Sequence, residues 1–192
     1  MAMLLQAPST HRSSISAFGN YHLVPQNLLR ETIGAIRRES EEGDLPLFTW
    51  TLGLPQASLD SLLEECSLPS AEAVRLDSHN YALVERLIPQ TFHELRLFLF
   101  QHRTHFLDAI HAGYLSRALA AACFGYRPLW QDLGLDNEDA LLALLKTFFS
   151  PLIRKHWRCR YWKRLFFSQL PPVAGARFSS QEMLLQAVLQ HQ

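Results

Sequence analysis

Three groups of side chains in this sequence are of types that do chemistry. Cys123, His156 and Cys159 would offer a three-ligand metal site if they met in space, and the last two, three residues apart, share a face of any helix that runs through both. The bland reading competes: free cysteine is often a small buried hydrophobe, and a lone histidine is often hydrogen-bonded or exposed. His102 and His105 have the same spacing, inside a stretch, 95–110, that reads as helical core. The second group is RKHWRCRYWKR, where Arg154, Lys155, Arg158, Arg160, Lys163 and Arg164 interleave with Trp157, Tyr161 and Trp162. Such a segment can pack while its cations snorkel to acidic neighbours. It can hold a tetrahedral oxyanion, which favours Arg and Lys donors, or meet nucleic acid by phosphate neutralisation and stacking. A protein partner is a further use. The third group, Asp132, Asp136, Glu138 and Asp139, reads as a helix cap with a solvated first turn rather than an acid/base pair. GxSxG, P-loop, HExxH, CxxC and dinucleotide fingerprints are all absent, so the chain does not read as an enzyme.

The elements that must position these groups are helical. QNLLRETIGAIRRESEE carries Leu28, Leu29, Ile33 and Ile36 at helical spacing, and EEGDLP stops it. A second helix is expected near Ser58, ending at Leu68-Pro69. Pro55, Pro69, Gly43 and Gly53 predict short helices in this N-terminal third. YALVERL breaks at Ile88-Pro89, and TFHELRLFLFQHR follows. HFLDAIHAGYLSRALAAACFG places Phe106, Ile110, Leu115, Leu119 and Cys123 near one stripe. Asp136 is the expected N-cap of NEDALLALLKTFF, with Asp139 as its capping-box partner. Pro151 opens PLIRKHWRCRYWKRLFFSQL, expected as one helix ending at Pro171-Pro172. Its two sides, one with His156, Cys159 and Lys163 and the other with Arg158 and Tyr161, are both mixed, so it touches something on each. No alternating β-branched run suggests a strand. The fold expected is an all-α bundle of about six to eight helices, with residues 1–20 a loose tail, 21–170 the helical domain, and 171–192 a Pro-rich turn with a short helix.

At 192 residues, 48% hydrophobic and 19% charged, the composition is globular. The net charge of zero hides a polarity. Residues 1–150 hold 11 Lys/Arg against 17 Asp/Glu, whereas 151–192 hold 7 against 1. That distribution suits an anionic partner or internal pairing. The three scattered cysteines, Cys66, Cys123 and Cys159, argue against a disulfide framework and for a reducing compartment. With no apolar run of membrane-spanning length and no basic region before the N-terminal apolar residues, the expected location is the cytoplasm.

The block Leu129, Trp130, Gln131, Asp132, Leu133, Gly134, Leu135 joins the Ala-rich helix to the acidic turn. Read physically, it is a helix corner stapled by Trp130, with Pro128 at its start, a left-handed exit at Gly134, and Gln131 and Asp132 as polar turn residues. Together with Trp162, Lys163, Arg164, Phe166, Gln169 and Leu170 about 27 residues later, it resembles the NifQ family of nitrogen-fixing bacteria. That family carries Asn-His before the Leu-Trp-Gln-Asp-Leu-Gly-Leu signature, then a Lys-Trp-Lys-Lys-Phe-Phe-like helix. The resemblance covers about residues 80–170. It implies a cytoplasmic accessory protein that handles molybdenum, bound with iron and sulfur, and works with nitrogenase cofactor-assembly proteins. Family members use a C-x4-C-x2-C-x5-C cluster of soft thiolates. Here residues 171–192 contain no cysteine, and Arg127-Pro128 stands in place of Asn-His. The resemblance therefore implies molybdenum held otherwise, as an oxyanion such as molybdate near Arg127, Arg158, Lys163 and Arg164. A helical protein-interaction module without metal chemistry is the alternative, and nucleic-acid binding through 154–164 a third.

Overall fold

A computed structural model describes residues 24–69, 78–156 and 159–171. The expected N-terminal tail and C-terminal helix lie outside the described residues, as does Arg158. The elements run α1 (Gln26–Glu42), a 3-10 helix (Leu47–Thr51), α2 (Gln56–Glu65), α3 (Ser78–Arg86), α4 (Gln90–Gln101), α5 (Ala109–Ala122), α6 (Leu129–Asp132), α7 (Glu138–Phe148), α8 (Ser150–His156) and α9 (Trp162–Ser168). All are helical, as the periodicity predicts. They outnumber the expected six to eight for two reasons: the corner forms a one-turn helix, and the basic stretch is divided.

α5 is the central element, packed against α4 and α1. Ala112, Ala118, Ala120, Ala121 and Ala122 on it are fully buried. With only a methyl at those positions, neighbouring helices can approach on several sides. Aromatic rings fill the gaps the alanines leave. Phe48, Phe92, Phe124 and Phe167 form a chain of edge-to-face contacts, 5.2 Å between centroids at Phe48–Phe124 and 5.6 Å at Phe124–Phe167. This chain ties the 3-10 helix, α4, the end of α5 and α9 to one core.

Several boundaries differ from expectation. α1 has 17 residues and is not short, because Gly43 ends it in the left-handed region only after its apolar face is complete. The N-cap of α7 is Asn137, whose Oδ1 accepts from the Ala140 N–H at 2.9 Å; Asp136, one residue too early, cannot reach that donor. Leu115, Leu119 and Cys123 are buried, but Phe106, which precedes the Asp108 cap of α5, and Ile110, in the first turn of α5, are 58% and 63% exposed. α4 ends at Gln101, so His102 and His105 do not share a helix face. His102 instead bonds through Nδ1 to the Phe98 carbonyl at 2.8 Å. Pro151 sits in the first turn of α8 as expected, yet α8 stops at His156 and α9 starts at Trp162. No single helix carries His156 and Cys159.

Candidate functional site

The corner between α5 and α7 is built around one buried carboxylate. Asp132, at the end of α6, is 0% exposed. Sequence reasoning treated it as a polar turn residue. In the fold it accepts from Lys163 Nζ at 2.5 Å and from Arg127 Nε at 3.2 Å. Lys163, 8% exposed, also donates to the Gly125 carbonyl at 2.8 Å. Arg127 reaches on to Glu39 of α1 through a further ion pair, with Asp44 at 3.7 Å. Three stretches distant in sequence thus meet in one charged node: α1, the corner from Gly125 through α6, and α9. Burial pushes the Asp132 carboxyl upward, and the two cations oppose that shift. Burial works against the charge of Arg127 too, but Asp132 and Glu39 outweigh it and raise the guanidinium above its ordinary value.

Local sequence explains the geometry. Gly134 adopts φ +68°, and Leu135 N–H donates to the Trp130 carbonyl while Gly134 N–H donates to that of Gln131, both at 2.8 Å. This is a Schellman exit that turns the chain back toward α7. A Cβ at Gly134 would sit 2.5 Å from the Ala35 methyl of α1, and one at Gly125 would sit 2.3 Å from Asp132 Oδ2. Both glycines are therefore required by close approach. Leu129 and Leu133 are buried, and Trp130, Gln131 and Leu135 are half-buried.

Above this node lies a groove of about 310 Å3 between α6, α7 and residues 160–164. Among the described residues its cations are Arg127, Arg160, Lys163 and Arg164, its rings Trp130, Tyr161 and Trp162, and its single carboxylate Glu138. The cations divide into two classes. Lys163 and Arg127 are spent on the buried node. Arg160 and Arg164 are exposed, and among the described residues neither has a carboxylate within ion-pair distance. Trp162 is 3% exposed and packs on Phe166 at 5.9 Å, which anchors the first turn of α9, where Arg164 sits.

The structure gathers Arg127, Lys163 and Arg164 around one groove. It does not gather Cys123, His156 and Cys159. Among the described residues the donor atoms that converge within ligating range are acidic, those of Glu39, Glu42 and Asp44, with no cysteine or histidine. Cys123 is fully buried and its thiol is pushed up to about 12, chiefly by burial, so it stays protonated. Burial likewise raises Cys66 and Cys159 and lowers His156. The residues present do not fit a cluster held by four thiolates. Glu39 and Gly125 were missed by sequence reasoning. The signal for Glu39 was available, since it falls on the same face of α1 as Leu29, Thr32 and Ile36, all buried.

The signature corner and the α9 segment that meet in this node are the two blocks on which the resemblance was drawn. A family model described as NifQ matches residues 29–179. The chain belongs to the NifQ family. The match reaches well beyond the expected 80–170 and takes in almost all of α1, whose Glu39 completes the node. Protein NifQ of Azotobacter vinelandii is 30% identical over 118 residues, 62% of this chain and 54% of that protein. The chain thus spans about half the length of the curated NifQ relative it matches. No solved structure matches it. Among the described residues no helix is long and apolar enough to cross a membrane.

Proposed function

We propose that this NifQ-family chain is a cytoplasmic accessory protein of nitrogen fixation, not an enzyme, that handles molybdenum for the assembly of the iron–molybdenum cofactor. The molybdenum is cargo and is carried as an oxyanion in the groove between α6, α7 and α9. The observation that carries this reading is the pair Arg160 and Arg164, exposed guanidiniums that have no carboxylate partner among the described residues, on the rim of a groove whose other cations are fixed from below. A doubly charged tetrahedral anion matches two such donors through charge-assisted hydrogen bonds. Lys163 and Arg127 are already neutralised by Asp132 and Glu39, so the charge that meets the anion is that of Arg160 and Arg164. Arg158, expected among the ligands, lies outside the described residues, and its part is carried by Arg160 in this reading.

Isothermal titration with sodium molybdate tests it. One site per chain is expected, weakened at least tenfold in the variant Arg160→Ser/Arg164→Ser and weakened by added salt. Equal heats for the wild type and the double variant would remove the groove from consideration.

A further inference from the structure

The groove is larger than its proposed cargo. A volume of about 310 Å3 is at the lower end of what takes a small organic ligand and several times what one five-atom oxyanion fills. The surplus wall is apolar and aromatic, with exposed Pro128 and half-buried Trp130 lying over the buried Leu129 and Leu141, and a bare oxyanion offers nothing to it. Trp, Tyr and Arg are also the residue types that dominate binding energy in protein–protein contacts when they cluster in a pocket.

From this we infer that the groove also receives an acidic extended segment of a partner protein. The segment's carboxylates bind Arg160 and Arg164, and its side-chain stems cover Pro128 and Trp130. The inference rests on the oxyanion reading only in using the same two arginines. Charge decides the occupant. Among the described residues the rim cations Arg160 and Arg164 share the groove with one carboxylate, Glu138, so a basic segment would be repelled and a neutral one would leave both guanidiniums unmatched. Because the anion and the segment need the same donors, docking displaces the cargo. A partner carrying such a segment would trigger release at the place of delivery.

Fluorescence anisotropy tests this on the full chain. The probe is a labelled decapeptide of alternating Glu and Gly, with a Lys-Gly peptide and a single-stranded oligonucleotide as comparators. The acidic peptide is expected to bind, to lose at least tenfold in affinity in Arg160→Ser/Arg164→Ser, and to gain severalfold in Glu138→Gln. Molybdate is expected to displace it competitively. An acidic peptide that binds no better than the basic one, or equally well to the double variant, overturns the docking inference. So does an oligonucleotide that binds more tightly through the same arginines. Absence of molybdate binding alongside arginine-dependent peptide binding would sink the oxyanion reading and leave the docking intact, so the two failures are distinguishable. Unchanged thermal unfolding of the variants confirms that they remain folded.

Discussion

Lys163→Met removes the ammonium that answers Asp132 while keeping most of the side-chain volume. Asp132 is 0% exposed and Lys163 9% by side chain, so solvent screens the pair poorly. Stripping one partner from such a pair strands a buried charge and typically costs about 3–5 kcal/mol. Two features fix the value within that range. Arg127 still donates to Asp132 at 3.2 Å, which softens the loss. The Gly125 carbonyl loses the Lys163 donor, which adds to it. We expect about 3 kcal/mol, equivalent to a melting temperature lower by roughly 6–12 °C for a domain of this size. Urea unfolding with unchanged slope would measure it. The double variant Asp132→Leu/Lys163→Met should recover much of the loss, since replacing both charges by apolar groups is often near neutral. A cost below about 1 kcal/mol for Lys163→Met, the range of an exposed ion pair, would refute the buried node.

Gly134→Ala forces a side chain into the left-handed region and into Ala35 of α1, so thermal unfolding should show a loss of at least about 1–2 kcal/mol. Asn137→Ala should cost about 1 kcal/mol by the same assay while Asp136→Ala stays within about 0.5 kcal/mol, since only Asn137 caps α7. Burial, then neighbouring cations, depress His93 (Arg96 and Arg117) and His156 (Lys155), with His102 adding to the effect at His156. With folded values below the unfolded one of about 6.5, the stability these neutral imidazoles contribute is present above that pH and lost as pH falls through the folded values. The urea midpoint should therefore decline on acidification from about pH 7 to about pH 5, and His93→Gln/His156→Gln should flatten that decline. Cys123, buried and protonated, should resist alkylation by iodoacetamide in the native protein and react only after unfolding; rapid native labelling would contradict its placement.

The helices were legible because their apolar spacing is a local property. α1, α4, α5 and α7 fall where periodicity and the Gly and Pro punctuation put them. The division of the basic stretch into α8 and α9 was not legible, because Cys159, Arg160 and Tyr161 include no helix breaker. Nothing in their types announces that Trp162 and Lys163 must turn inward to reach the core and Asp132. The node was half legible. Arg127, Asp132 and Lys163 were each singled out, two as anion ligands and one as a turn residue. That they spend their charge on one another depends on a meeting between residues 31 apart in sequence, which no local pattern encodes. For the same reason Arg160 reads as one cation among six, and only the fold places it and Arg164 on the groove while Lys163 turns inward to Asp132.

The central claim is that the groove above the Asp132–Lys163 pair seats an oxyanion on Arg160 and Arg164. A crystal grown with molybdate and measured at the molybdenum absorption edge tests it most directly. The account predicts one anomalous peak per chain within hydrogen-bonding distance of both guanidiniums. Molybdenum bound elsewhere on the chain, with that groove empty, would contradict it.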